Sequence, residues 1–447
     1  VRLEDALSMV PEVLPETFEN FGRHLNAEWI SDALVATGTA TIRRRRLPAE
    51  QTVWLLVGMA LMRNESIERV AALLGVALPA KNSEFVVKSA LPQARARIGD
   101  EPLEYIFSAS GAEWGRKSAD AHRYRGLAVY AVDGTTMRVP DTTENWKTFG
   151  GQKGNGERAG SAYPMVRALG LMVARSHVLA AIRFGSYDVG EVTLARELWD
   201  DLPRDSLTLI DRNFLVAADL NRLCEDGKNR HFITRAKSTT RLRVIKRLGK
   251  DDALAEIELS PETRRRQPGL PECWTVRAIS YQRKGFPKSV LLTSLLDSGT
   301  YPRSELVALY HERWEIELGF DEIKTHMLAR EEAIRSRTPT GVRQELWAIA
   351  LAYNLVRLEM ERAADQAGVA PTRISFVNAL SFICHAWVIW SSPPLAPGRI
   401  PAALLDLRHR IALLLLPERR TGRSFPRLVK IKMSNYNRKR PTGPGRN

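Results

Sequence analysis

The chain has 447 residues, 44% of them apolar, with a formal charge of +15 and a pI near 9.9. That length allows two or three packed domains of ordinary globular composition, and the basic excess points to a polyanionic partner. Three scattered cysteines, Cys224, Cys273 and Cys384, argue against zinc and against a disulfide framework and fit a reducing cytoplasm, while apolar runs such as 53–62 and 411–416 are too short to span a bilayer and no signal peptide is recognisable.

Residues 1 to about 120 read as helical. ERVAALLG, residues 68–75, follows Ser66 as an N-cap and stops at Gly75. The basic run Arg43–Arg46 beside Pro48 suggests a small DNA-binding module of the helix-turn-helix kind; an ordinary bundle with a solvated charge run explains the same residues equally well. From about residue 124 the pattern changes to strands. GLAVYAVDGTTM (126–137) reads as a strand of β-formers ending on Asp133 and Gly134, and strands at 164–176 and 178–185 are divided at His177. A helix over 188–202 follows, then a strand over 206–214 with Asp211 at its end, a helix over 215–227 and a strand over 230–236. Three strands followed by alternation with helices predict a mixed α/β sheet with helical crossovers.

Residues 237–290 interrupt that order with hairpin-like strands rich in Arg and Lys, and 288–297 returns to a strand. A helix over 310–327 comes next, then a long apolar helix over 341–364, another near 375–390, a linker marked by Pro393, Pro394 and Pro397, and a short helix over 402–416. The tail Arg419–Asn447 holds ten Lys/Arg and no acid, two thirds of the formal excess; it reads as a non-specific phosphate contact or as a solubilising tail. The expected organisation is a helical DNA-binding region (1–120), a core in two parts (121–236 and 291–392), a β-rich insertion (237–290), and a C-terminal helix with a basic tail (393–447).

The segment YHERWEIELGFDEIKTHM, residues 310–327, carries Tyr310, Arg313, Glu317 and Lys324 at offsets 0, 3, 7 and 14. On a regular helix these fall within roughly 60° of one another, beside an apolar stripe of Leu309, Ile316, Phe320, Ile323 and Met327. One face would anchor the helix and the other would line a cleft. Asp133 and Asp211 at strand ends sit where α/β sheets bind ligands. With Glu317 they make three carboxylates without His or Cys partners, a set suited to Mg²⁺ or Mn²⁺. Two such ions, roughly 3.5–4 Å apart, would support in-line phosphoryl displacement, and Arg212, Arg313 and Lys324 would ease the like-charge cost and hold phosphate. Each element alone has an ordinary structural explanation, as turn residue, solvated acid or surface stripe; the combination in this order does not.

At this point the chain resembles the DDE transposases of bacterial insertion sequences, the insertion-sequence-four family. The carriers are the Tyr-Arg-Glu-Lys signature at Tyr310, Arg313, Glu317 and Lys324, with VDGTT at 132–136, IDRNF at 210–214, LLTSLLD at 291–297 and RSRTP at 335–339. The resemblance implies an RNase H-like core with a β-rich insertion between the second Asp and the Glu. It implies a metal-binding catalytic triad of Asp133, Asp211 and Glu317, with Tyr310, Arg313 and Lys324 contacting phosphates and bases at the cleaved terminus. It also implies cutting at terminal inverted repeats of double-stranded DNA and 3′-OH attack on target DNA. A homodimer would work on paired ends in a bacterial, nucleoid-associated setting. In relatives a Trp before the LLTS strand stacks on a flipped base during hairpin formation; here that position is Ser289, and Trp274, Tyr281 or Phe286 are the candidate replacements. A catalytically inactive DNA-binding relative, or an RNase H-like nuclease without strand transfer, are the alternative readings.

Overall fold

The computed structural model describes residues 24–40, 47–74, 89–152, 160–283, 286–328, 333–391 and 399–417. The Arg43–Arg46 run, Gly75, the proline linker and the basic tail lie outside them. Among the described residues five helices precede the sheet: α1 (Ala27–Ala36), α2 (Ala49–Leu61), α3 (Ile67–Leu73), α4 (Ala90–Ile98) and α5 (Glu101–Ala121). As the sequence suggests, the Ser66 side chain caps α3 by accepting from Arg69 N.

Strands and helices then follow in chain order as β1 (Ala128–Arg138), α6 (Thr143–Phe149), β2 (Met165–Val173), β3 (Leu179–Ser186), α7 (Glu191–Leu198), β4 (Ser206–Ile210), α8 (Ala217–Cys224) and β5 (Arg230–Arg235). The β1–β2–β3 segment is an antiparallel meander, whereas β1, β4 and β5 pair in parallel through the α7 and α8 crossovers. This mixed sheet, ordered β3-β2-β1-β4-β5, is the RNase H-like arrangement. Both faces are covered. On α5, Gly115 lets the helix backbone press on Ala180 of β3, and Leu194 of α7 packs over Gly185 of the same strand. Gly185 pairs with Arg167, three residues from Gly170 of β2, against which Phe320 lies, so Leu194 and Phe320 cover opposite faces.

The insertion supplies β6 (Arg243–Gly249), β7 (Asp252–Glu258), the short helix α9 (Pro261–Arg266), β8 (Cys273–Tyr281) and β9 (Ser289–Thr293). It does not form a sheet of its own. β9 bonds both β5 and β8, so one nine-stranded sheet runs from β3 to β6. After it come α10 (Arg303–His311), α11 (Trp314–Asp321), a π-helical segment (Glu322–Met327), α12 (Pro339–Ala367), α13 (Phe376–Ser391) and α14 (Ile400–Ala412). α12 is capped by Thr338, starts on Pro339 and stops on Gly368 at φ 65°. Twenty of its residues are buried, because it forms the spine between α5, the N-terminal α2 and the C-terminal α13 and α14.

Two expectations need correction. β1 does not end on Asp133 but continues to Arg138, because β2 pairs with it along that whole length; only the parallel ladder to β4 stops at Val132. The 310–327 segment is not one regular helix. Glu312, Arg313, Glu315 and Ile316 each donate their N–H three residues back, which tightens a turn between α10 and α11, and the π segment then widens the next one.

Candidate active site

Parallel pairing brings the first two acids together. Val132 of β1 lies opposite Ile210 of β4, so the next residues, Asp133 and Asp211, emerge side by side where that ladder ends. At Asp211 the chain turns into a 3-10 helix, Arg212–Phe214, and the sheet opens. Asp133 stays in strand conformation opposite Gly170 of β2. Two glycines let α11 close over this edge. A Cβ at Gly170 would lie 3.1 Å from Phe320 Cζ, and one at Gly319 would lie 2.7 Å from Met172 Sδ.

The acids and the signature helix meet through Arg313. Arg313 is 7% exposed, and its guanidinium donates to Asp133 Oδ2 at 3.3 Å and to Glu317 Oε1 at 2.8 Å. Beside this bridge is an open cleft of about 200 Å³ lined by Asp133, Gly134, Thr135, Glu317, Phe320, Asp321 and Lys324. Burial pushes the Asp133 carboxyl up to about 6; the Gly134 N–H and Arg313 pull it down, and Glu317 and Asp211 push it up. Burial is the largest of these effects, and Lys324 lines the same cleft as a second cation.

An all-oxygen set of this kind suits a hard divalent ion, and a second positive centre would relieve the Asp133 carboxyl. The carboxylates are not drawn into a cage: among the described residues no group of three His, Cys, Asp or Glu side chains is close enough to hold a metal. Arg313 occupies the space between Asp133 and Glu317. The residue types fit the chemistry of such an ion.

A model of the "Transposase DDE domain" matches residues 124–355, more than half of the chain, and one of the "Insertion element 4 transposase N-terminal" region matches residues 15–108. The "Transposase InsG for insertion sequence element IS4" of Escherichia coli (strain K12) is 36% identical over 447 residues, 99% of this chain and 98% of its own. The chain belongs to the IS4 family of DDE transposases. "Putative transposase InsZ" of the same organism is 32% identical over 224 residues, 50% of this chain and 73% of that protein. The cryo-EM structure of a piggyBac transposase synaptic complex with hairpin DNA aligns at TM-score 0.42 and 11% identity over 88% of this chain and 85% of that one. As an insertion-sequence transposase the chain is an enzyme that acts on DNA, and among its described residues no helix is long and apolar enough to cross a membrane.

The other candidate residues of this transposase are distributed unevenly. Tyr310 closes α10 and is 5% exposed; burial pushes its phenol up to about 12, with Arg313 and Arg235 near enough to pull the other way. Arg212 is exposed next to Asp211. Trp274 sits inside the core, its ring 5.4 Å from that of Phe232, so its face is already covered. Tyr281 differs. It is half-buried, pairs across the ladder with Ser289, stands 5.9 Å from His311, and has Arg235, Arg283 and Arg313 nearby. Thr135 and Asp321 line the cleft without having been singled out in the sequence. Their signal was spacing: Thr135 is two residues from Asp133 on a strand, and Asp321 four from Glu317 on a helix.

Proposed function

We propose that the cleft between the β1/β4 edge and α11 cleaves and joins DNA at the ends of an insertion sequence, with Asp133, Asp211 and Glu317 as the carboxylates that hold two divalent metal ions, Mg²⁺ or Mn²⁺. The single observation that carries this reading is the juncture at Arg313, which ties Asp133 on the sheet to Glu317 on α11. When bound, the ions supply an activated oxygen nucleophile and stabilise the leaving oxygen. The chain's own residues orient and neutralise the DNA. Lys324 faces the cleft from the π segment and holds a phosphate as a point charge. Arg313 exchanges a carboxylate for a phosphate oxygen, and Tyr310 fixes the floor beneath it. Arg212 contacts the backbone of the DNA strand beside Asp211.

Tyr281 is the aromatic best placed to stack on an extruded base, because it faces the Ser289 position across the ladder and lies among Arg235, Arg283 and Arg313. Terminal inverted repeats are the DNA recognised, target DNA is the acceptor, and a homodimer engages the paired ends. Asp133→Ala, Asp211→Ala and Glu317→Ala should each lower Mg²⁺-dependent cleavage of end-bearing DNA to background while gel-shift binding persists. Cleavage retained in any one of the three would overturn the assignment of that residue.

A further inference from the structure

Behind the helix that carries Glu317 lies a group of buried polar side chains that the cleft does not use. Glu315 and Glu322 stand two residues before and five residues after Glu317. Seven residues apart, they share one helix face at about 100° per residue, and Glu317 falls roughly 200° away from Glu315, on the other side. His177, in the β2–β3 turn at φ 65°, places its Nε2 2.9 Å from Glu315 Oε2. Its Nδ1 meets Arg357 Nη2, and Arg357, from the middle of α12, also donates to both carboxylate oxygens of Glu322. Tyr353 donates to Glu322 Oε2 at 2.9 Å, and Arg357 Nε lies 3.3 Å from the same phenol. One imidazole tautomer serves both neighbours: Nδ1 accepts from Arg357 while Nε2–H donates to Glu315.

Arg357 and Tyr353 are 1% and 0% exposed. An ion pair this deep is no better for stability than apolar residues of the same volume. A left-handed backbone is also costly for a histidine, whereas glycine or asparagine adopts it readily. What the group supplies is direction. Hydrogen bonds to Glu315 and Glu322 fix the rotation and height of the helix, whereas apolar packing tolerates a slide. Glu322 is also the residue on which α11 gives way to the π segment that carries Lys324.

We infer that His177, Tyr353 and Arg357 are positioning residues for Glu317: they pin the back of α11 and the π segment at two points, and so set how far Glu317 and Lys324 reach into the cleft. The inference rests on the assignment of Glu317 to the reaction centre. It is tested by single-turnover cleavage of a duplex carrying the element's ends, run with the full chain over a range of Mg²⁺ concentrations, beside end-binding affinity and thermal midpoint. Tyr353→Phe removes the hydroxyl's hydrogen bonds to Glu322 and from Arg357 with little change of shape. Arg357→Met combined with Glu322→Met removes the buried ion pair as a unit.

The expected result is end binding within about twofold of the unmodified chain in both. Cleavage should slow about threefold to tenfold in Tyr353→Phe and roughly a hundredfold in the double variant, the scale of a 1 Å misplacement. The Mg²⁺ midpoint should rise in both. Glu317→Ala is run in parallel. If Glu317→Ala still cleaves, the site assignment fails and takes the inference with it. If Glu317→Ala is inactive while Tyr353→Phe and the double variant cleave at the unmodified rate, the inference alone is overturned. Should the double variant not fold, the rate of Tyr353→Phe decides.

Discussion

Gly319 and Gly170 allow the Glu317 helix to lie against the edge of the sheet. Any side chain at Gly319 enters the space of Met172, whose thioether can bend away, and comes within 3.0 Å of Tyr353 Oη, which is fixed in the core. Gly319→Ala therefore sets two effects against each other. Alanine gains about 1 kcal/mol of helix propensity, and overpacking costs about 1–3 kcal/mol. The net loss of urea stability should be about 0–2 kcal/mol, while single-turnover cleavage falls about tenfold because α11 is lifted from Met172 of β2. An unchanged rate would mean that Met172 absorbs the added methyl entirely. Arg313 teaches a related lesson. Its spacing to Glu317 was visible in the sequence, but its second partner, Asp133, lies 180 residues away and depends on how α11 crosses the sheet.

At the scale of elements, the insertion is instructive. Its strands were legible as hairpin-like β-formers. Their continuity with the core sheet was not, because an edge strand looks the same in sequence whether it stands alone or adds to a neighbour. β9 makes the junction, and a buried pair behind it holds β7 and β8. Arg277, 0% exposed, donates to Asp252 Oδ1 at 2.8 Å and to the Tyr301 carbonyl at 2.7 Å, next to α10. Asp252→Ala would leave a guanidinium buried without its counter-charge. It should cost about 3–5 kcal/mol in chemical denaturation, and the double change with Arg277→Met should recover most of that. Equal losses in the single and double variants would show that the strands, not the charge pair, are the source. The broken 310–327 helix belongs at this scale too. A periodic pattern reports which face is apolar and is blind to a tightened turn followed by a widened one, since these nearly cancel in phase.

Across the whole molecule, α12 joins the regions that precede and follow the sheet. Its Glu359, 0% exposed, lies 2.5 Å from His24 Nε2 and 2.7 Å from Arg408 Nε of α14. Burial alone would raise this carboxyl, but the hydrogen bonds from His24 and Arg408 outweigh it and hold it at about 2, against an ordinary 4.5. The folded value lies below the unfolded one. Its contribution is therefore complete above about pH 4.5 and is lost as pH falls from there through about 2. Thermal unfolding followed over that window should show a decline of a few kcal/mol that Glu359→Gln flattens. A variant with the same acid slope would place the loss elsewhere. Arg63 and Glu345, 2.6 Å apart, make a second buried tie from the helical N-terminal region to α12.

The sequence by itself determined the alternation of strands and helices, the three acids and the four-residue signature, because local periodicity and residue chemistry are carried by near neighbours. It could also mark Asp133 and Asp211 as an unusual pair, each following a run of β-formers. Tertiary structure alone decided that the β1/β4 register sets those acids side by side, that Arg313 joins two of them, and that Trp274 turns inward against Phe232 while Tyr281 faces Ser289. It also gathered His177, Tyr353 and Arg357 behind α11, residues with nothing distinctive around them in the chain. The physical reason is the same in each case. Which face a side chain takes follows from its own strand or helix, but which charge it meets there depends on packing between segments far apart in the chain.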